Sequence, residues 1–196
     1  MMAINLRDLA VLSIKDPASA ARILLELSPP REALWTGLLL TAVLNTMMLV
    51  LSNMILPGPS PMPEVFNVPS IYLIAVAVGL VLISYSIFWT GRAMGGQGSI
   101  DDVMLLIVWL QALQVAVRAL VLVLVLTIPF LAMLLVLASV FYGIWILIHF
   151  VDQAHRFGSL GRSAVAMFVA FVGLVLVLSS ILAFLGVGLV ESPGYV

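Results

Sequence analysis

The sequence predicts an all-α polytopic integral membrane protein, a five-transmembrane-helix bundle with a short N-terminal amphipathic cytoplasmic helix. Three observations predict it. Of the 196 residues, 64% are hydrophobic and 9% charged, which leaves too little polar surface to solvate a globule in water. The apolar residues fall into runs of the roughly 20 residues that cross about 30 Å of hydrocarbon. The connections between those runs are basic on one side of the membrane only, as the positive-inside rule requires.

Residues 1–32 read as a cytoplasmic N-terminal amphipathic segment. Met1 to Leu12 lacks the basic, apolar and small-residue regions of a secretory signal, so it is expected to stay on the mature protein. From Asp16 a helix is expected: Asp16 can cap it, Pro17 suits its first position, and Ala20, Ile23, Leu24 and Leu27 recur at helical spacing. Ser19, Arg22 and Glu26 mark its polar side, and Pro29-Pro30 end it. We expect it to lie at the membrane surface, with packing on the cytoplasmic ends of the spans as the alternative.

Residues 33–188 form the five-span membrane domain, with spans at about 33–56, 71–94, 103–127, 130–150 and 163–186, and 189–196 a short outer tail. Pro57 to Pro63 cannot continue a helix and favours a stiff extended loop. Gly95-Gly96-Gln97-Gly98-Ser99 breaks the second helix as a flexible turn and leaves Asp101 and Asp102 at a new helix start. From Val103 to Phe150 the chain is almost wholly apolar, and as one helix it would be about 72 Å long, over twice the hydrocarbon thickness. Pro129 is the strong breaker inside that stretch, so a tight hairpin is placed there. The fifth span ends near Gly186 and Gly188.

Cations set the direction. Arg7, Lys15, Arg22 and Arg31 precede the first span, Arg92 ends the second, and Arg156 and Arg162 separate the fourth from the fifth, whereas the opposite connections hold Glu64 and Glu191 without Lys or Arg. The expected topology is N-terminus cytoplasmic and C-terminus outside, in a cell membrane and by expectation a bacterial inner membrane. With a net charge of −1 there is no basic field for nucleic acid, and with no cysteine there is no disulfide, thiolate metal site or cysteine nucleophile.

Two polar constellations stand out. On the third span Gln111, Gln114 and Arg118 share one helical face, and Arg118 lies roughly 15 Å below the Pro129 turn, too deep for snorkelling alone. No Asp or Glu falls within a span, so its counter-groups are sought among amides, hydroxyls, carbonyls, a lipid phosphate or another chain. By depth, Asn45, Ser139, Tyr142, Ser179 and Ser180 are the internal candidates. Structural glue between helices comes first as an explanation, ahead of a solute path or contact with a partner protein or lipid headgroup. The second constellation is at the inner face: His149, Asp152 and Arg156 at i, i+3 and i+7, with His155, Asp101 and Asp102 on the same side. Its spacing matches no metal signature, and helix dipoles account for its charges. No cofactor is expected. No Ser–His pair, intramembrane aspartate pair or His-Glu-x-x-His is present, and no catalytic site is expected. Small-residue spacings at Ala75–Gly79, Ser139–Gly143 and Ala166–Ala170 suggest close helix packing.

The ordered set of Asp16-Pro17, Pro29-Pro30, five spans, Gly95-Gly96-Gln97-Gly98-Ser99 and the polar turn from His149 to Arg162 resembles the Yip-one family of Ypt/Rab-interacting membrane proteins, in its bacterial branch. The resemblance covers most of the chain. It implies five-span topology and brings no catalytic residues. Eukaryotic members are linked to Rab GTPases and to traffic between endoplasmic reticulum and Golgi through cytoplasmic segments, of which this chain has only residues 1–32, so a Rab partner is not carried over. The expected function is that of a non-enzymatic membrane adaptor or organiser, in contact with membrane lipids and with a protein partner or a second copy of itself. The alternatives are a small-solute channel or transporter using the Gln111, Gln114 and Arg118 face, and a lipid-handling accessory protein.

Overall fold

A computed structural model describes residues 5–56 and 63–184, with side chains as far as Ser180; the Pro57–Met62 part of the proline-rich connection, Gly186, Gly188 and the 189–196 tail lie outside the described residues. Seven helices follow in order: α1 Leu6–Lys15, α2 Pro17–Leu27, α3 Arg31–Ile55, α4 Pro69–Ala93, α5 Ile100–Thr127, α6 Pro129–His155 and α7 Leu160–Phe184, with a 3-10 turn at Glu64–Asn67 before α4. The last five are long and apolar enough to cross a membrane.

The N-terminal segment is two helices rather than the single one expected. α1 opens on Asn5, whose side chain accepts from the Arg7 amide at 3.1 Å. At Asp16 the backbone leaves the helical region (φ −145°), and the Asp16 carboxylate accepts from the Ser19 amide at 3.1 Å and the Ser19 hydroxyl at 2.6 Å, while Pro17 takes the first position of α2. One residue thus ends one helix and starts the next. Ser28, in the left-handed region at φ 40°, ends α2 before Pro29-Pro30. The apolar face of α2 is taken up by the bundle: Ala20, Ala21 and Leu24 are buried as α2 packs on α5 and α6. That is the packing alternative for this segment, with most of the apolar face turned to protein and Leu27 at its end left exposed. α1 is secured by Trp109 on α5, whose indole N–H donates to the Ser13 hydroxyl at 2.9 Å.

α5 begins with a reciprocal capping box, in which Ser99 and Asp102 each accept the other's backbone N–H. It stops at Thr127. Pro129 has no N–H to donate to Val125, and a proline pushes the residue before it toward extended backbone; Ile128 accordingly adopts φ −139° and α6 starts at Pro129. α6 then continues to His155, past the 130–150 expected for the fourth span, because its last turns are enclosed by α1, α2 and α7 and need no lipid.

Two ends of the bundle differ. We call the end crossed by α1 and α2 the covered end, and the end where α3 and α5 stop and α4 and α6 begin the open end. The buried core gathers at the covered end, from Leu34, Leu38 and Ile87 through Val103, Leu106, Leu110, Phe150 and Ala154. Toward the open end α5 buries nothing beyond Leu110, α6 only Ala132 before Ile146, and α3 nothing beyond Thr46. Lipid tails solvate Leu and Val as well as protein does, so helices in a bilayer are held mainly by small residues and polar links. Most of those sit at the covered end or midway: Ala21, Ala42 and Ala166 are fully buried, Ala170 nearly so, and a Cβ on Gly37 would meet Val108 at 2.9 Å. A Cβ on Gly79 would meet nothing within 4 Å, so the Ala75–Gly79 spacing makes no close helix contact.

Candidate functional site

The intramembrane polar residues meet on Asn45. This α3 side chain is 2% exposed, and its amide orientation follows from its neighbours, since a guanidinium can only donate. Its Oδ1 accepts from an Arg118 terminal nitrogen, and its Nδ2 donates to the Thr41 carbonyl at 2.8 Å and the Gln111 Oε1 at 3.4 Å. α3 and α5 are thereby joined through three polar side chains. Arg118 has five N–H donors, and among the described residues it makes no ion pair and no hydrogen bond but this one. A cation at mid-helix costs about 2.5–3.5 kcal/mol on the insertion scale, and one amide oxygen offsets only part of that.

Arg118 lines a groove of about 550 Å³ between α3, α5 and α6, with Tyr72 of α4 at its rim, on the open-end half. Its polar members are Asn45, Ser52, Tyr72, Gln114, Arg118 and Ser139, set among apolar residues such as Leu49, Val121 and Val140. The volume is that of a ligand site, with a mainly apolar lining and a few convergent polar groups. Gln114 reaches toward α6, where a Cβ on Gly143 would stand 3.5 Å from its Nε2. Ser139 returns its hydroxyl to the Val136 carbonyl at 2.7 Å, so its oxygen can still accept. Ser52 and Tyr72 also belong to the groove; they lie near the ends of α3 and α4, and the depth count that selected the other candidates did not single them out. Three expected partners stay apart. Tyr142 is exposed, Ser180 bonds its own Leu176 carbonyl at 2.7 Å, and Ser179 is likewise on α7, which packs on α4 and α6.

At the covered end the charged residues disperse into separate structural tasks. Asp101 pairs with Arg31 at 2.9 Å, both accessible to solvent, and Asp102 belongs to the α5 cap. Asp152, buried, accepts from the Ser159 amide at 2.9 Å, the Ser163 hydroxyl at 3.3 Å and Gln153 at 3.0 Å, which ties the end of α6 to the start of α7. Arg156 ends α6 in the left-handed region at φ 55° and is exposed. His149 Nδ1 meets the Trp145 carbonyl at 2.9 Å. Among the described residues no three His, Cys, Asp or Glu gather where they could hold a metal ion.

His155 is the exception to mere dispersal. It is completely buried, its ring stacks on Phe157 at 5.3 Å, and its Nδ1 lies 3.2 Å from the Val151 carbonyl. Its Nε2 is buried with no hydrogen-bond partner among the described residues. The ring occupies a socket of glycines: a Cβ on Gly91 would come within 2.1 Å of Nε2, one on Gly96 within 2.7 Å of the ring, and one on Gly98 within 2.6 Å of the Ala154 carbonyl. Gly95 adopts φ 85°, and the Gln97 amide donates to the His155 carbonyl at 3.0 Å. The Gly95–Ser99 connection, expected as a flexible turn, is a fitted clasp around the end of α6. Arg162 closes it from α7 by donating to the Met94 carbonyl at 2.6 Å and lying over the Phe157 ring at 5.1 Å.

No curated protein and no solved structure matches this chain. The family model of the Yip1 domain matches residues 11–181, from within α1 to within α7, and so takes in the docked N-terminal helices, the glycine clasp and all five apolar helices of one membrane unit: the chain is a multi-pass membrane protein of the Yip1 family.

Proposed function

We propose that this protein is a non-enzymatic membrane organiser whose covered end faces the cytoplasm and presents α1 and α2 as a fixed contact platform. The supporting observation is the docking of that pair: Ser13, Ala20, Ala21 and Leu24 are buried against the bundle while Leu6, Ile14 and Leu27 stay exposed beside Arg7, Lys15 and Arg22. Exposed apolar residues with a basic surround, held on a rigid support, suit contact with a protein or a second copy of this chain near an anionic membrane surface. All cations other than Arg118 belong to this end, which suits a cytoplasmic face.

The rival reading is a solute path along Gln111, Gln114 and Arg118, favoured by the groove on the open-end half. One experiment separates the two. A photo-crosslinking residue at Ile14 is expected to trap a discrete protein adduct in membranes, to lose it when Arg7 and Lys15 become Glu, and reconstituted vesicles are expected to show no solute flux above lipid alone. Flux that Arg118→Ala alters, with no adduct at Ile14, would establish the rival.

A further inference from the structure

We propose that the groove between α3, α5 and α6 is a binding site for an anionic phospholipid, with the lipid phosphate on Arg118 and the acyl chains leaving sideways into the bilayer. The walls carry the first argument. Val136 and Val140 line the groove and are themselves about half exposed, at 47% and 54%, so the cleft opens through the side of the bundle, where the surrounding solvent is hydrocarbon. That lateral opening gives apolar chains a way out of the groove that a water-soluble solute has no use for. A lipid is already there.

Charge carries the second argument. Arg118 is exposed within the groove, and among the described residues no carboxylate pairs with it. Its bond to Asn45 holds one terminal nitrogen of the guanidinium, and the other donors of this groove-lining side chain have no partner among the described residues. A guanidinium so held matches phosphate geometry through two parallel N–H bonds, and a phosphate supplies the negative charge that the amide of Asn45 lacks.

The third argument is the order of polar groups along the groove. Tyr72 lies in the first turn of α4 and Ser52 in the last turn of α3, both near the open end; Ser139, Arg118 and Asn45 lie roughly 10 Å deeper. A headgroup entering from the open-end interface therefore meets hydroxyls first and the guanidinium next, with apolar residues on either side for the chains. The site is independent of the platform on α1 and α2, at the other end of the molecule, and either proposal can fail alone.

The test uses the full chain in phosphatidylcholine nanodiscs doped with a photoactivatable phosphatidylglycerol, and in parallel with the matching photoactivatable phosphatidylcholine. The phosphatidylglycerol label is expected on peptides carrying Val121 and Val140, and Arg118→Gln is expected to lower it about tenfold, the loss of one charge-assisted contact. Arg118→Lys is expected to retain part of the labelling. Val140→Trp, which fills the groove without touching the cation, is expected to lower it as well, so a folding defect at Arg118 does not decide the result. Labelling spread evenly around the bundle, or equal for both lipids, or unchanged in Arg118→Gln, would overturn the proposal. So would displacement by millimolar inorganic phosphate, which would assign the site to free anion. With no native cysteine, a Val140→Cys disulfide dimer forming in nanodiscs in place of labelling would mean that a second copy covers the groove, and would also overturn it.

Discussion

Adding one methyl group at Gly91 is expected to be among the most damaging single changes in the covered end. Its Cβ would stand 2.1, 2.3 and 2.6 Å from three atoms of the His155 ring, all well inside contact distance, so the ring or α4 has to move. The ring has no retreat: Phe157 stacks on its face, and Gly96 and Gly98 pass so close that any shift meets backbone. Overpacking usually costs about 1–3 kcal/mol, and a clash with a ring enclosed on its other sides puts Gly91→Ala near the upper figure. His155→Ala opens a void but also removes a buried ring nitrogen with no partner, so its net cost is lower than for a hydrophobic ring, about 2 kcal/mol.

These two estimates make the double variant decisive. If the damage in Gly91→Ala is the collision with His155, then Gly91→Ala/His155→Ala places the new methyl in the vacated space and loses about 2 kcal/mol, against about 5 for additive behaviour. The assay is equilibrium unfolding in mixed micelles as the fraction of denaturing detergent rises, followed by tryptophan fluorescence, with Trp109 reporting the docking of α1. Stability of Gly91→Ala equal to the parent, or a double variant that loses the sum of the singles, would refute the reasoning.

Three further outcomes follow from the same geometry. Trp109→Phe keeps the ring and deletes the N–H that reaches Ser13, so it should cost about 1 kcal/mol and show as faster hydrogen exchange in α1 with α5 unchanged. The Asp16 carboxyl is held below its ordinary value first by the Ser19 hydroxyl and then by the Ser19 amide. Its capping contribution is therefore complete above the ordinary carboxylate pKa and disappears as pH falls through the lowered folded value. Helicity of the α1–α2 unit should drop over that acid range, and Asp16→Ala should already be low at neutral pH and insensitive to acid; an acid transition that survives the substitution would assign the effect to another group. Reporter fusions test orientation: one placed after Gly158 should be active only in the cytoplasm and one after Val196 only outside, and the same side for both would end the five-span topology.

The count of apolar helices could be read from the sequence because the signals were local. Pro129 breaks an otherwise continuous apolar run, and Ser99 with Asp102 writes a cap in four residues. The link among Asn45, Gln111 and Arg118 was also within reach, since intramembrane polar groups need partners and few are available. What was not legible depends on distance along the chain. Asp101 and Asp102 are adjacent in sequence, yet one leaves for Arg31 and the other turns back to Ser99. Gly96 and Gly98 looked like punctuation and Gly91 like one more residue of the second span, because the ring that requires them lies on α6. α1 escaped notice because its buried face is only Leu9 and Ser13, a serine being buried for the sake of an indole far along the chain. Tyr142, Ser179 and Ser180 were assigned to the polar cluster by depth alone, and depth fixes height in the membrane without fixing the direction in which a side chain points.

The uneven packing of the two halves has a single physical cause. In water the Leu and Val side chains that line the groove on α3, α5 and α6 would be driven together and the groove would close, since burying them would remove apolar surface from the solvent. In a bilayer that force is absent, and helices close only where small residues permit close approach or polar groups bond across. The covered end has both, in its buried alanines, its glycine socket and the Asp152 links. From Ala119 to Leu126 and from Phe130 to Leu137 the chain has almost nothing but bulky aliphatics, so lipid competes on equal terms for their surfaces. A cation set in that half is thus left accessible by the same composition that leaves the groove open. Arg118 and the open groove are two effects of one sequence choice: rigidity was placed at the end that carries α1 and α2, and lateral access at the other.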